Sequence, residues 1–149
     1  MYDQDQHDLD SRVSWMAQAK RLTAADIMTR NVVTSGPYDA LTRIAAQMQR
    51  HTIGSIVILE NQKIVGILTE RDCVRIVEQV GGLLNKNQAK DHMTKPVHTV
   101  QSDAFVTDVI KLMSEKHIRH LVVVDKKGNV AGIISSRDLM KITKDVMAI

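Results

Sequence analysis

The stretch Gly66-Ile-Leu-Thr-Glu-Arg-Asp72 decides the fold, because it returns as Gly132-Ile-Ile-Ser-Ser-Arg-Asp138 in the second half of the chain. Each copy closes an apolar run typical of a buried strand and opens an apolar stripe with helical spacing. A second phrase is also duplicated, since Asp26-Ile-Met-Thr29 is matched by Asp91-His-Met-Thr94. The chain therefore contains two copies of one unit.

The two copies align at an offset of 65 residues in their first halves and 66 in their second halves. The extra residue falls in a predicted turn, where Asp125–Asn129 replaces the shorter Glu60–Lys63. Exposed turns tolerate insertions, so this shift supports the alignment. A period this long, present twice, indicates a paired domain and not a solenoid.

Each copy shows the same order of predicted elements. A short strand opens it, at Val32–Thr34 and at Val97–Thr99. A helix follows, with apolar residues at i, i+3, i+4 and i+7: Leu41, Ile44, Ala45 and Met48 in the first copy, and Val106, Val109, Ile110 and Met113 in the second. Two apolar strands come next: Ile56–Leu59 and Ile64–Leu68, then Leu121–Val124 and Val130–Ile134. A second helix completes each copy. In the first copy the apolar stripe of this helix is Cys73, Ile76, Val77 and Val80.

This order predicts an α/β (α+β) fold of tandem βαββα repeats, each with a short mixed sheet covered by two helices. Neither repeat alone is large enough to bury much apolar surface, so we expect the two to pack as a pseudo-two-fold pair. The predicted divisions are residues 23–82 for repeat one, 83–90 for a linker and 91–149 for repeat two. A helical extension is predicted within residues 1–22, because Leu9, Val13 and Met16 have the spacing of an amphipathic stripe. We expect this helix to end near Lys20, with Trp15 off the stripe.

Composition narrows the class of protein. Aromatic residues make up 3% of the 149 residues, which argues against nucleic-acid-binding proteins that stack bases on aromatic side chains. The net charge is +3, and the chain has no run of like charges. The single Cys73 excludes an internal disulfide and fits a reducing compartment. No apolar run approaches a membrane span of about 18 residues, and Met1–Asp10 is too polar for a signal peptide. We expect a cytoplasmic location and no membrane partner.

The duplicated phrases together resemble the CBS domain, named after cystathionine β-synthase, of which a tandem pair forms a Bateman module. The resemblance covers roughly Thr23 to Val146. It implies a non-catalytic sensor that binds AMP, ADP, ATP, NAD or S-adenosylmethionine in the cleft between the repeats. It also implies a homodimer, and a response delivered in trans to a regulated protein whose identity is unknown.

The resemblance assigns the ribose contacts to the Gly-x-x-Thr/Ser-x-x-Asp phrases. Asp72 and Asp138 would hold the ribose hydroxyls, with Thr69 and Ser135 as their companions. An ionised carboxylate accepts hydrogen bonds from two vicinal hydroxyls, and charge-assisted bonds are the stronger kind. The start of a helix also presents free N–H groups that suit an anion.

The other site residues implied by the resemblance surround these phrases. Arg119 and His120 are the phosphate candidates, because related modules carry basic residues at this strand entry. Arg71 and Arg137 are further phosphate candidates inside the phrases. The resemblance places the adenine against the opening strands, near Thr34 and Thr99. Gly54 and Ser55, at the entry of the next strand of the first repeat, would leave room for the ligand.

Each of these patterns also has a purely structural interpretation. Thr69 with Asp72, and Ser135 with Asp138, have the spacing of a helix capping box. Adjacent strand residues face opposite ways, so one of Arg119 and His120 can be solvated or packed. The start of a helix is also an ordinary place for a solvated arginine.

Three other functions compete with the sensor. An enzyme is disfavoured because the chain has no Gly-x-Ser-x-Gly, phosphate-loop or Gly-x-Gly-x-x-Gly motif, and Cys73 lies on an apolar stripe. A metal site at His117 and His120 lacks a third ligand. The main rival is a scaffold of the same fold with empty clefts, which binds a protein or, less readily, DNA through the mild basic excess.

Overall fold

Two three-stranded sheets, each packed against helices, organise the part of the chain that the computed structural model describes. That part comprises Ala17 and residues 20–147, without the side chains of Thr143 and of residues 145–147. The stripe Leu9, Val13 and Met16 of the predicted N-terminal helix lies outside the described residues. None of the helices in the described part is long and apolar enough to cross a membrane.

The observed order of elements confirms the predicted mixed α/β fold. The first half contains α1 (Ala24–Ile27), β1 (Thr34–Ser35), α2 (Leu41–His51), β2 (Ser55–Glu60), β3 (Lys63–Thr69) and α3 (Glu70–Val80). A 3₁₀ turn, Leu84–Lys86, then precedes the second half. The second half contains α4 (Ala89–His92), β4 (Thr99–Gln101), α5 (Val106–Lys116), β5 (His120–Val124), β6 (Val130–Ser135) and α6 (Ser136–Met147).

Both sheets place the middle strand of the repeat at their centre, in the orders β1-β2-β3 and β4-β5-β6. In the first sheet β1 runs parallel to β2, with Thr34 opposite Val57. Strand β3 runs antiparallel to β2, with Ser55 opposite Thr69. The first sheet is therefore mixed, as predicted. The opening strands begin two residues later than predicted, at Thr34 and Thr99.

The apolar stripe of each central helix packs on its own sheet, except that Ala45, which the sequence places on the stripe of α2, is exposed. In the first core, side chains of α2, β2, β3 and α3 are buried together: Leu41, Ile44, Met48, Ile56, Ile58, Leu68 and Ile76. In the second core the matching elements supply Val109, Met113, Leu121, Val123 and Ile134. Val77, which the sequence places on the buried stripe of α3, is 49% exposed instead.

Each core also contains one alanine from the segment that opens the other half of the chain. These opening segments are α1 and α4 with the residues that follow them to Thr29 and Thr94, and α4 begins at Ala89, inside the predicted linker. Ala24 of α1 lies in the second core, and Ala89 of α4 lies in the first. The backbone pairs in the same way, because Thr29 and Ile133 exchange hydrogen bonds of 2.9 and 3.0 Å. Thr94 and Ile67 exchange equivalent bonds of 2.9 and 3.1 Å.

This exchange determines the two compact units of the chain. One unit consists of Asn31–Thr99 with Asp125–Val130. The other consists of the described residues up to Arg30, Val100–Val124 and the described residues from Ala131 onward. The compact units therefore do not coincide with the sequence repeats, because α1 and α4 each lie in the unit of the repeat to which they do not belong by sequence.

A methionine of each opening segment also covers the glycine of a duplicated phrase. A Cβ atom added at Gly66 would lie 2.6 Å from Met93 Cγ, and one added at Gly132 would lie 2.7 Å from Met28 Cγ. Both distances are far below van der Waals contact. Glycine is required at these two positions because another chain segment lies directly against the strand.

Candidate functional site

The turn from β6 into α6, residues Ser135–Asp138, is here called the Asp138 turn. The backbone N–H and the hydroxyl of Ser135 both donate to Asp138 Oδ2, at 2.8 and 3.1 Å. The Asp138 N–H donates back to Ser135 Oγ at 3.4 Å. The predicted capping box is therefore present. It uses Oδ2 alone, and no described residue donates a hydrogen bond to Asp138 Oδ1.

The turn from β3 into α3, residues Thr69–Asp72, is here called the Asp72 turn and has the same cap. Thr69 donates its N–H and hydroxyl to Asp72 Oδ2 at 3.0 and 3.1 Å. Here, however, the other oxygen has partners. Arg75 Nη2 lies 3.4 Å from Asp72 Oδ1, and the Thr94 hydroxyl lies 3.3 Å from it. Arg75 also donates to the carbonyl oxygen of His92, at 3.3 Å.

A backbone hydrogen bond joins each turn to the entry of the central strand beside it. The Gly54 carbonyl accepts from the Glu70 N–H at 2.9 Å, and the Arg119 carbonyl accepts from the Ser136 N–H at 2.9 Å. Arg119 therefore lies next to the Asp138 turn, and its side chain is exposed. His120, the first residue of β5, is partly buried.

The structure brings most of the predicted residues to these turns and leaves others on open surface. Ser55 is buried opposite Thr69, and Thr34 lies exposed on β1, beside Val57. Thr99 is exposed on β4. Arg71 and Arg137 are exposed on the first turns of α3 and α6, where both a solvated position and a phosphate contact fit their placement.

The sequence reasoning missed Arg75 and Thr94. Arg75 follows Asp72 by three residues, a spacing at which helical side chains meet, and this signal was available. Thr94 stands 22 residues from Asp72, so its contact depends on the exchange of opening segments. It closes the duplicated phrase that begins at Asp91, but the phrase alone does not show what its hydroxyl contacts.

Two groups with perturbed pKa values, Asp39 and Cys73, lie outside the two turns or are poorly suited to chemistry. The hydrogen bond from the Ser35 hydroxyl, and then that from the Gly36 N–H, lower the pKa of Asp39. Burial raises the pKa of the Cys73 thiol, and the nearby Asp72 and Glu70 carboxylates raise it further. A thiol with a raised pKa is a poor nucleophile, because the thiolate is the reactive form.

The sequence also raised His117 and His120 as metal ligands. His117 ends α5 in the left-handed conformation, with φ of 53°, and His120 begins β5. Within residues 20–147, as far as their side chains are described, no three His, Cys, Asp or Glu side chains are grouped to hold a metal ion.

Comparison with known proteins places this geometry in a family. The family model of the CBS domain matches residues 24–79 and 89–145. The uncharacterized protein MK0525 of Methanopyrus kandleri is 35% identical over 130 residues, which are 87% of this chain and 66% of that protein.

Solved structures give the same result. The CBS-domain protein ATU1752 from Agrobacterium tumefaciens has a TM-score of 0.75 and 30% identity, over 81% of this chain and 92% of that one. The CBS domain pair of protein MJ0100, in complex with 5′-methylthioadenosine and S-adenosyl-L-methionine, has a TM-score of 0.76 and 27% identity, over 83% and 97% of the two chains. The chain described here belongs to the CBS domain family and carries two CBS domains.

Proposed function

We propose that this CBS domain pair is a non-catalytic regulatory module that binds an adenosine-type ligand and passes the response to another protein. The observation that carries the proposal is the state of Asp138. Its Oδ2 is held by the cap from Ser135, while its Oδ1 accepts no hydrogen bond from a described residue. A partly buried carboxylate with one fixed and one available oxygen is suited to a ribose diol.

The cap makes Asp138 a prepared acceptor. Two hydrogen bonds from Ser135 hold the carboxylate in place before a ligand arrives. Immobilising a side chain on binding costs about 0.5–1.5 kcal/mol, and this cost is already met in the folded chain. The structural interpretation of the sequence, a helix cap, and the ligand-binding interpretation are therefore compatible at this turn.

The charges near the Asp138 turn favour a ligand that carries phosphate. Ser136, where α6 begins, donates its N–H to the Arg119 carbonyl and is followed by Arg137, and both arginine side chains are exposed. His120 follows Arg119. The first N–H groups of a helix also attract anions. These features favour AMP, ADP or ATP over S-adenosylmethionine, whose sulfonium is cationic. The pair from MJ0100 with its methylthioadenosine and S-adenosyl-L-methionine supports the adenosine part of the proposal.

Calorimetric titration of the full chain with adenosine, AMP, ATP and S-adenosylmethionine tests this proposal. We expect Asp138→Asn to weaken binding of all adenosine compounds at this turn about tenfold or more, because a hydrogen bond to a charged group contributes about 1.5–3 kcal/mol. Arg119→Gln should weaken AMP and ATP but leave adenosine unchanged, since adenosine has no phosphate.

Asp26→Asn is the matched control. Asp26 accepts from the Thr23 N–H and hydroxyl at 2.8 and 2.9 Å, in the same capping arrangement at the start of α1. It should lower stability like Asp138→Asn and leave affinity intact. Equal affinity in both variants would show that Asp138 is only a cap. A wild-type chain that binds none of the compounds would favour the ligand-free scaffold.

A homodimer is also part of the proposal. Val74 on α3 and Met140 on α6 occupy matching positions of the two repeats and are 73% and 70% exposed. Each helix therefore has a large exposed apolar side chain that a second copy of the chain could cover.

A further inference from the structure

The two carboxylates that we assign to ribose binding have different surroundings, although their caps are alike. We infer that the two CBS domains bind ligand in order: the Asp138 turn is open, whereas the Asp72 turn is closed by Arg75 and Thr94, which a ribose must displace. This inference rests on the proposed function. It assigns to Arg75 the role of setting the affinity of the first-repeat turn.

Arg75 is held over Asp72 from two directions. Its Nη2 lies 3.4 Å from Asp72 Oδ1 and 3.3 Å from the His92 carbonyl oxygen, so one end of the guanidinium connects α3 to the end of α4. A planar guanidinium with several donors is well suited to bridge two acceptors. The Asp72 side chain is only 15% exposed beneath it.

Thr94 occupies the remaining approach to the same carboxylate. Its hydroxyl lies 3.3 Å from Oδ1 and 3.4 Å from Oδ2 of Asp72. One hydroxyl has one proton, so it donates to one oxygen at a time. Together with the cap on Oδ2, the Thr94 hydroxyl and the Arg75 guanidinium occupy the acceptor positions that a ribose diol needs.

The matching positions of the second repeat lack this arrangement. Lys141 aligns with Arg75, and Thr29 aligns with Thr94. The Thr29 backbone pairs with Ile133 just as Thr94 pairs with Ile67, so the chain follows the same path. Even so, Thr29 does not hydrogen-bond to Asp138, and no cation in the described part of the chain lies within ion-pair distance of Asp138.

The difference should be visible as a moderate gap in affinity. Arg75 is 44% exposed, so its ion pair with Asp72 is partly screened by water and weak on its own. The Thr94 hydrogen bond adds a contribution of ordinary size. We therefore expect a Kd at the Asp72 turn roughly tenfold higher than at the Asp138 turn.

Titration with adenosine tests the order of binding, because a neutral ligand is not attracted by the arginine charge. In the wild-type chain we expect one strong and one weak event per chain. Asp138→Asn should remove the strong event and Asp72→Asn should remove the weak one. In the Asp138→Asn background, Arg75→Gln should lower the Kd of the remaining event about threefold, which is part of the tenfold gap, because the Thr94 contact remains.

Lys141→Gln is the matched control and should leave both events unchanged. Denaturant unfolding of Arg75→Gln checks that this variant is folded. Thr94→Val removes the other group that contacts Asp72, and we expect it to lower the Kd of the Asp72 turn as well. Two events of equal affinity in the wild type, or no gain from Arg75→Gln and Thr94→Val, would overturn the inference while the proposed function stands. Weaker binding in Arg75→Gln would also overturn it, because Arg75 would then be a ligand contact. A wild-type chain that binds no adenosine compound would instead contradict the proposed function.

Discussion

At the scale of single residues, four aspartates perform the same local task in different surroundings. Asp26, Asp72, Asp91 and Asp138 each accept a hydrogen bond from the backbone N–H three residues earlier, at the start of a helix. Because the pattern is local, its spacing is readable in the sequence. Of these four, Asp72 and Asp138 follow the last strand of a sheet, and Asp138 is the one of the two whose second oxygen accepts no hydrogen bond from a described residue.

Asp39 provides a prediction at this scale. The Ser35 hydroxyl and the Gly36 N–H, the latter at 2.7 Å, donate to Asp39 Oδ2 and hold the pKa of this carboxyl below its ordinary value. We expect Asp39→Asn to lower the free energy of unfolding by about 1–2 kcal/mol at neutral pH. A folded-state pKa that is lowered stabilises the fold above the ordinary pKa. This stabilisation is lost as pH falls through the folded value, below about 3.9.

Urea unfolding of the wild type and Asp39→Asn from neutral pH downward measures this effect. The gap between the two proteins should close in the acid range. Asp103→Asn is the control, since Asp103 is exposed and accepts no side-chain hydrogen bond from a residue whose position is described. A gap that stays constant with pH would show that charge on Asp39 is not the source of the stabilisation.

At the scale of elements, the duplicated glycines explain how an opening segment lies on a sheet that belongs to the other repeat. Met93 covers Gly66 and Met28 covers Gly132, and each following threonine exchanges two hydrogen bonds with the strand. The glycines allow the approach, and the backbone bonds set its register. The methionine of the duplicated phrase is therefore a packing residue, whereas the following Thr94 also reaches the carboxylate of Asp72.

Gly66→Ala tests this packing. The added methyl group would lie 2.9 Å from Met93 Cβ, an atom close to the backbone that cannot move away without shifting α4. We expect a loss of about 1–3 kcal/mol in unfolding free energy, the usual cost of overpacking. Met93→Ala in the same chain should recover part of that loss, because the two positions are in contact.

Gly82→Ala is the control for Gly66→Ala. A Cβ atom at Gly82 would meet nothing within 4 Å, so this substitution should not destabilise the protein. Strictly additive effects of Gly66→Ala and Met93→Ala would argue against the close contact. Denaturant unfolding of the wild type, Gly66→Ala, Met93→Ala and the double variant gives the coupling energy between the two positions.

At the scale of the whole molecule, the chain exchanges its opening segments between repeats. Ala24 and Ala89 are fully buried in cores built mainly from the other repeat, so a repeat cut at the boundaries read from the sequence lacks part of its core. This arrangement links the two CBS domains through the backbone. It also places Thr94, from the opening segment of one repeat, beside Asp72 of the other.

The homodimer proposal gives a prediction at this scale. We expect the wild-type chain to have twice the monomer mass in light scattering coupled to size-exclusion chromatography. Val74→Lys with Met140→Lys should shift it toward the monomer, because two charges would be buried at a largely apolar contact. Glu78→Lys, also exposed on α3, is the control for added charge. A wild type that is monomeric at the highest soluble concentration would contradict the prediction.

The sequence does not predict the short helices α1 and α4. By itself it determined the βαββα order of the longer elements, most of the apolar stripes of α2 and α5, the two capping boxes and the membership of the CBS family. All of these depend on spacings of a few residues or on the comparison of one repeat with the other. The sequence predicts the start of each opening strand two residues too early. Strand β1 consists of two residues, and its limits are set by pairing with β2. Val77 has the spacing of a core residue, yet half of its surface is exposed on α3.

Only the tertiary structure decided which segment covers which sheet, and with it the difference between the two carboxylates. Thr94 and His92 meet Asp72 and Arg75 from 22 and 17 residues away. No local period encodes contacts over such distances, because they arise from the path of the backbone between domains. The aligned phrases predict that Asp72 and Asp138 have the same surroundings. In the structure Arg75 and Thr94 hydrogen-bond to Asp72, whereas the matching described residues do not hydrogen-bond to Asp138.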